Sequence, residues 1–199
     1  MEPSRLRTSD SDAPAQIRAQ AFEIIRAKSF FRRRITLASG RESDFYFNMK
    51  PTMFDPQGAM LLARMLLARV AELKSEYVGG LAVGAIPLIA TVCALSSEAG
   101  RPLSGFFVRK EVKDHGTRQR IDGLEEGATL AGKPITILED VTTTGGSAML
   151  AVQAAREAGA QIETVLSVVD RGEGAAETYR AAGVPFTSLF RAQEFLASS

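Results

Sequence analysis

Only one cysteine and one histidine occur in the 199 residues, and those two absences remove whole classes of chemistry. A lone Cys93 cannot form an intrachain disulfide or a cysteine-built zinc site, and its place in an apolar run makes it a packing residue. Charge of one sign is also lacking: the formal net charge is +1. That balance argues against a protein built to coat nucleic acid or an anionic membrane, so any phosphate chemistry must rest on local charge. Residues 1–14 have no apolar core of the secretory kind and are expected to be a short disordered tail. The longest uncharged run, Tyr77–Ser97, covers 21 residues, but Gly79, Gly80, Gly84 and Pro87 interrupt it. A buried strand, a glycine turn and a buried helix explain it better than a membrane span, and a cytoplasmic protein is expected. No internal repeat or low-complexity segment is found.

What is present is enough apolar residue, 45% of the chain, for a sizeable core in one domain over residues 15–199. Asp12 and Pro14 start a helix whose apolar face is Ile17, Ala21, Ile24 and Ile25. Short strands follow at Ile35–Leu37 and Phe45–Phe47, joined by the turn-prone Ser39-Gly40. Asp55-Pro56 starts a second helix, with proline where its missing N–H costs nothing. Apolar runs at Val78–Val83, Leu103–Val108, Ile135–Leu138, Val165–Val169 and Phe186–Phe190 then alternate with helical stretches at Pro87–Glu98, Ser147–Ala158 and Ala175–Ala182. This alternation predicts an α/β fold, a doubly wound and mostly parallel five-stranded sheet with helices on both faces. Ligands of such sheets bind at the carboxyl ends of the strands. The stretch between Val108 and Pro134 breaks the rhythm, with many charges and little periodicity, and is expected to be a mobile functional loop over about 109–124.

The most informative segment is Ile135 to Ser147. An apolar strand ends in Glu139 and Asp140, and Val141, Thr142, Thr143, Thr144, Gly145, Gly146 and Ser147 then open a helix. Unpaired N–H groups at a helix start favour phosphate, glycines let backbone wrap an anion, and Thr143, Thr144 and Ser147 add hydroxyl donors. Two carboxylates beside a phosphate cradle make sense as acceptors for ribose hydroxyls and as stabilisers of positive charge on the sugar. Neither a Rossmann fingerprint nor a P-loop is present. A polar turn with an N-cap would explain fewer of these residues. The segment closely resembles the phosphoribosyl pyrophosphate signature of the type I phosphoribosyltransferases.

Which acceptor is used is narrowed by Phe106 to Gly116, which resembles the catalytic loop of the orotate phosphoribosyltransferases. Its cations suit a departing pyrophosphate. Arg109, Lys110 and Lys113 supply charge, and His115 adds a donor that can also give a proton. A solvated charge run is the plainer alternative. Leu37 to Asn48 is similar to the family's hood over orotate, which implies that Tyr46 and Phe47 border the base, although strand packing explains those aromatics equally well. Arg171, directly after a strand, matches the family's orotate-reading arginine, and a guanidinium suits a planar carboxylate.

By this resemblance, the fold is a phosphoribosyltransferase core (about 76–190) with a small N-terminal hood (about 30–52) completed by the C-terminal segment. The reaction expected is transfer of the phosphoribosyl group from phosphoribosyl pyrophosphate to orotate. Glu139, Asp140, Lys113 and His115 are the expected catalytic residues. Val141 to Ser147 would hold the 5′-phosphate and ribose, Gly84 and the loop the pyrophosphate, and Tyr46, Phe47, Thr143 and Arg171 the orotate. Mg2+ would be held mainly by the donor and water, and a homodimer would share the loop between sites. Two departures stand out: Ala38 where many members carry lysine, and no lysine in Ala82–Pro87. Lys50 is the candidate replacement. A purine phosphoribosyltransferase and a nucleic-acid-binding regulator of the same fold remain the alternatives, and no nucleic-acid or membrane partner is expected.

Overall fold

The computed structural model describes residues 13–36, 42–110 and 120–198. The chain enters through α1 (Ala13–Lys28), whose Ala21 and Ile25 are buried. β1 (Phe30–Thr36) and β2 (Glu42–Phe47) pair antiparallel, Phe30 opposite Phe47 and Phe31 opposite Tyr46. β1 starts well before the expected Ile35, because the exposed Arg32, Arg33 and Arg34 hide a strand whose inward residue is Phe30. The Ser39-Gly40 turn lies outside the described residues. A short helix that the sequence did not suggest, α2 (Lys50–Met53), leads into α3 (Pro56–Ala71). There Asp55 accepts a hydrogen bond from the Gly58 N–H at 2.8 Å, with proline at the first position as anticipated.

Beyond these lie β3 (Tyr77–Gly79), α4 (Ile86–Glu98), β4 (Ser104–Gly105), β5 (Phe107–Val108), β6 (Ile121–Asp122) and β7 (Pro134–Thr142). The chain then continues through α5 (Gly146–Glu157), β8 (Gln161–Asp170), α6 (Ala175–Ala181), β9 (Phe186–Arg191) and α7 (Ala192–Ala197). Five strands form the central sheet in the order β4-β3-β7-β8-β9, every neighbouring pair parallel. That is the fold class the alternation implies. Two of its runs are shorter as strands than expected. Val78–Val83 is strand only to Gly79, where the chain turns. Leu103–Val108 divides, β4 extending the sheet edge while β5 pairs antiparallel with β6. Phe106, between them, is buried over Gly79, whose absent side chain leaves room for its ring.

One apolar cluster fills each face of the sheet. Leu62, Leu66, Val92, Leu138 and Leu166 belong to the face covered by α1, α3 and α4. Ile135, Ile137, Val152, Val165 and Tyr179 belong to the face covered by α5 and α6. The hood hairpin is anchored by an aromatic group: Phe195 of α7 packs on Phe22, Phe30 and Phe47 with ring centroids 4.3, 5.7 and 5.2 Å away. Among the described residues, no helix is long and apolar enough to cross a membrane.

Candidate active site

The chain leaves β3 towards β4 on one side, then returns across β3 to β7 and continues the other way. A crevice opens at such a reversal, at the carboxyl ends of the strands. The segment after β3 and the segment after β7 both reach it, and they touch. A Cβ on Gly84 would stand 2.8 Å from Asp140 Oδ1, so only glycine lets this backbone approach the carboxylate so closely.

Glu139 and Asp140 are successive residues of a strand and therefore point to opposite faces. Glu139 is buried, 8% exposed. Burial first, and the neighbouring Asp140 charge second, push its pKa up to about 8. It therefore holds its proton around neutral pH. Asp140 is raised as well, mainly by burial, but the Val141 N–H at 2.9 Å and the charge of Lys50 oppose the rise. The structure thus brings Lys50, the first residue of α2, within electrostatic reach of Asp140.

The turn that follows divides its residues. Thr142 is buried, its hydroxyl 2.9 Å from the Tyr179 hydroxyl, and its carbonyl accepts from the Arg171 N–H at 3.0 Å. Its side chain therefore faces the interior and is not placed to meet a ligand. Thr143 is half-buried, while Thr144, Gly146 and Ser147 are exposed. Gly145, with φ of 87°, is the N-cap of α5 and has no side-chain cap. The helix start thus leaves its first N–H groups without a capping side chain, the arrangement that accepts phosphate.

Arg171, directly after β8, is drawn into the interior. It is 6% exposed and crosses from the end of β8 to the hood. One terminal nitrogen donates to Ser43 Oγ at 3.0 Å and to the Phe45 carbonyl at 3.5 Å, and it pairs with Glu173 at 2.7 Å. The guanidinium lies 4.7 Å from the Phe45 ring centroid, and its buried Nε has no hydrogen-bond partner. Such an orphaned donor is costly, which fits a group kept for a ligand. The hood aromatic against Arg171 is Phe45. Tyr46 is on the opposite face of the hairpin, stacked 4.8 Å from Phe31 with Arg33 over its ring. Phe47 is taken up with Phe30, Phe45 and Phe195.

At the base of the expected loop, Arg109 forms a two-nitrogen ion pair with Asp122. Its charge is therefore engaged within its own chain. Lys110 is exposed. Lys113 and His115, like Ala38 and Arg41, lie outside the described residues. Three neighbours of the site escaped the sequence reading as functional residues: Phe45, Glu173 and Tyr179. The first is hidden among consecutive aromatics. Glu173 and Tyr179 have no local motif, and chain folding alone brings Tyr179 to Thr142.

No family model matches the chain. A curated relative from a Bradyrhizobium species is 55% identical over 179 residues, 90% of this chain and 97% of its own, and is an orotate phosphoribosyltransferase. One from Sorangium cellulosum with the same name is 41% identical over 187 residues, covering 94% and 96%. Among solved structures, the orotate phosphoribosyltransferase of Mycobacterium tuberculosis in complex with 5-phospho-α-D-ribosyl 1-diphosphate superposes with a TM-score of 0.73. The two are 32% identical, over 90% of this chain and 98% of that one. The enzyme from Aeropyrum pernix gives a TM-score of 0.74 at 28% identity, over 92% and 97%.

Proposed function

The chain belongs to the orotate phosphoribosyltransferase family, and on that premise we propose how its residues divide the reaction. It is a transferase that moves the 5-phosphoribosyl group of phosphoribosyl pyrophosphate to orotate. The products are orotidine 5′-monophosphate and pyrophosphate, a step of de novo pyrimidine (UMP) biosynthesis. Relatives that are 54–56% identical and carry the orotate name favour this over a purine acceptor or a nucleic-acid regulator.

The 5′-phosphate sits on the start of α5, with Thr143, Thr144 and Ser147 donating beside the backbone N–H groups. Asp140 faces the ribose and stabilises positive charge developing at the anomeric carbon as pyrophosphate departs. Glu139, protonated in the ligand-free protein, can donate to a sugar oxygen as well as accept. Gly84 presents the backbone near Asp140 to the departing pyrophosphate, and Lys50 supplies cationic charge there. Lys110, Lys113 and His115 are assigned to the same leaving group. Arg171 reads the orotate carboxylate with Phe45 packed against its guanidinium. Tyr46 keeps a role in the hood hairpin and is not assigned a base contact.

Mg2+ fits this donor set. Among the described residues no group of three or more His, Cys, Asp or Glu side chains gathers, whereas Mg2+ commonly takes one or two carboxylates and completes its shell with phosphate oxygens and water. The donor's own oxygens and water would hold most of the ion's shell, and Asp140 would be the protein carboxylate to contribute. The ion would offset charge on the leaving pyrophosphate. The enzyme is further proposed to be a cytoplasmic homodimer whose charged loops serve the neighbouring site.

The observation that carries these assignments is the close approach of Gly84 to Asp140, with Lys50 within electrostatic reach of that carboxylate, together with the uncapped start of α5. The test follows orotate by its ultraviolet absorbance, with and without donor and Mg2+. Absorbance should fall only when both are present. Consumption without Mg2+ would remove the ion from the scheme, and none under any condition would contradict the activity.

A further inference from the structure

The turn carrying the donor phosphate is not locked by its own side chains, since the N-cap of α5 is a glycine. Behind it stands Tyr179 of α6, fully buried. Its hydroxyl lies 2.9 Å from Thr142 Oγ1. Its ring packs directly against Gly145, so that a Cβ there would stand only 3.0 Å from Cζ and 3.3 Å from the hydroxyl oxygen. Phe186 backs the ring with centroids 4.8 Å apart, so the ring is itself held. Phenylalanine would fill this space equally well. A buried hydroxyl is costly unless it is hydrogen-bonded, so the tyrosine is explained by what its hydroxyl holds. Burial, together with the nearby charges of Glu139 and Asp170, pushes its pKa up to about 12. It therefore remains a neutral hydrogen-bonding group throughout the working range.

We propose that Tyr179 is a positioning residue for the phosphoribosyl donor: its hydroxyl fixes Thr142 and its ring supports Gly145, setting the turn that presents backbone N–H groups to the 5′-phosphate. It does not touch the reacting atoms. This rests on the assignment of that turn to the donor.

Tyr179→Phe keeps the ring and removes the tie. The KM for phosphoribosyl pyrophosphate should rise about fivefold, the effect of one neutral hydrogen bond, while the KM for orotate stays near its parent value. Thr142→Val should do the same, and the double variant should be little worse than either single one, because both remove one interaction. Tyr179→Leu, which also loses the ring behind Gly145, should weaken donor binding further. A donor KM unchanged in Tyr179→Phe would overturn the proposal. So would equal rises in both KM values, which a merely structural role would give. Calorimetric titration with phosphoribosyl pyrophosphate alone separates the two layers of inference. Binding equal in parent and Tyr179→Phe refutes the role of Tyr179, whereas no binding to the parent protein refutes the donor site itself.

Discussion

Glu139 and Asp140 are adjacent in sequence yet differ in surroundings, and the difference fixes what each can do. Burial holds the Glu139 proton up to about pH 8, against an ordinary value of 4.5. Because the folded pKa is raised, the group's contribution to stability is complete below 4.5 and is lost as pH climbs towards about 8. Glu139→Gln cannot ionise. Its melting temperature relative to the parent, both without ligand, should therefore rise steadily between about pH 5 and 8, and a constant gap would mean that Glu139 ionises normally. Asp140→Asn keeps the side-chain oxygen that accepts from Val141 but loses the charge. Turnover should drop by about a hundredfold to a thousandfold with folding unchanged, the usual cost of removing one electrostatic partner of a transition state. Parent-like turnover would take Asp140 out of the site. For Arg171 the decisive feature is shape. A lysine cannot serve Ser43, the Phe45 carbonyl and Glu173 together while offering a planar edge to a carboxylate. Arg171→Lys should raise the KM for orotate about tenfold, the scale of a charge-assisted hydrogen bond, and leave the donor KM nearly unchanged. Equal effects on both substrates would point to a general role in joining hood and core.

At the level of elements, α2 carries the least expected contribution. Lys50, its first residue, brings positive charge to Asp140, which suits a chain with Ala38 in the hood and no lysine in Ala82–Pro87. Lys50→Ala should lower kcat/KM about tenfold, as loss of one charged contact does, and clearly more than Arg41→Ala. A silent Lys50→Ala would make Ala38→Lys the informative substitution. Four residues are too few to announce a helix as short as α2, whereas Asp55-Pro56 announced α3 because cap and first-turn proline act locally. The same contrast runs through the site. The strand β7, the carboxylates and the start of α5 were legible because each is specified within a few residues. Which hood aromatic meets Arg171 was not, since Phe45-Tyr46-Phe47 has no polar alternation to reveal the inward face. The depth of Arg171 and the contact of Tyr179 with Thr142 were also hidden, because both join segments far apart in the chain. β4 and β5 read as one strand for a related reason: the packing of Phe106 over Gly79 divides them, and periodicity does not show it.

At the scale of the whole molecule, the proposed sharing of loops between two sites has a numerical consequence. One variant lacks Lys113 and His115, and another lacks Glu139 and Asp140. Each alone should be nearly inactive, but a mixed dimer has one site with both defects and one with neither. Random exchange of subunits should restore up to about a quarter of parent activity, since about half the dimers are mixed and each has one good site of two. No recovery despite demonstrated exchange would place the loop in its own site. The aromatic group around Phe195 has a different kind of consequence, one of timing. Phe195 packs against Phe22, Phe30 and Phe47, so residues made early during synthesis wait for one made late. The sheet can assemble strand by strand as the chain emerges, because β7, β8 and β9 pair in sequence order. The hood cannot settle until α7 has been made, and contacts between such distant segments form slowly. A nascent chain halted before Phe195 would thus hold the turn proposed for the phosphate in place while the hood face proposed for orotate stood open, and maturation would end on the hood side.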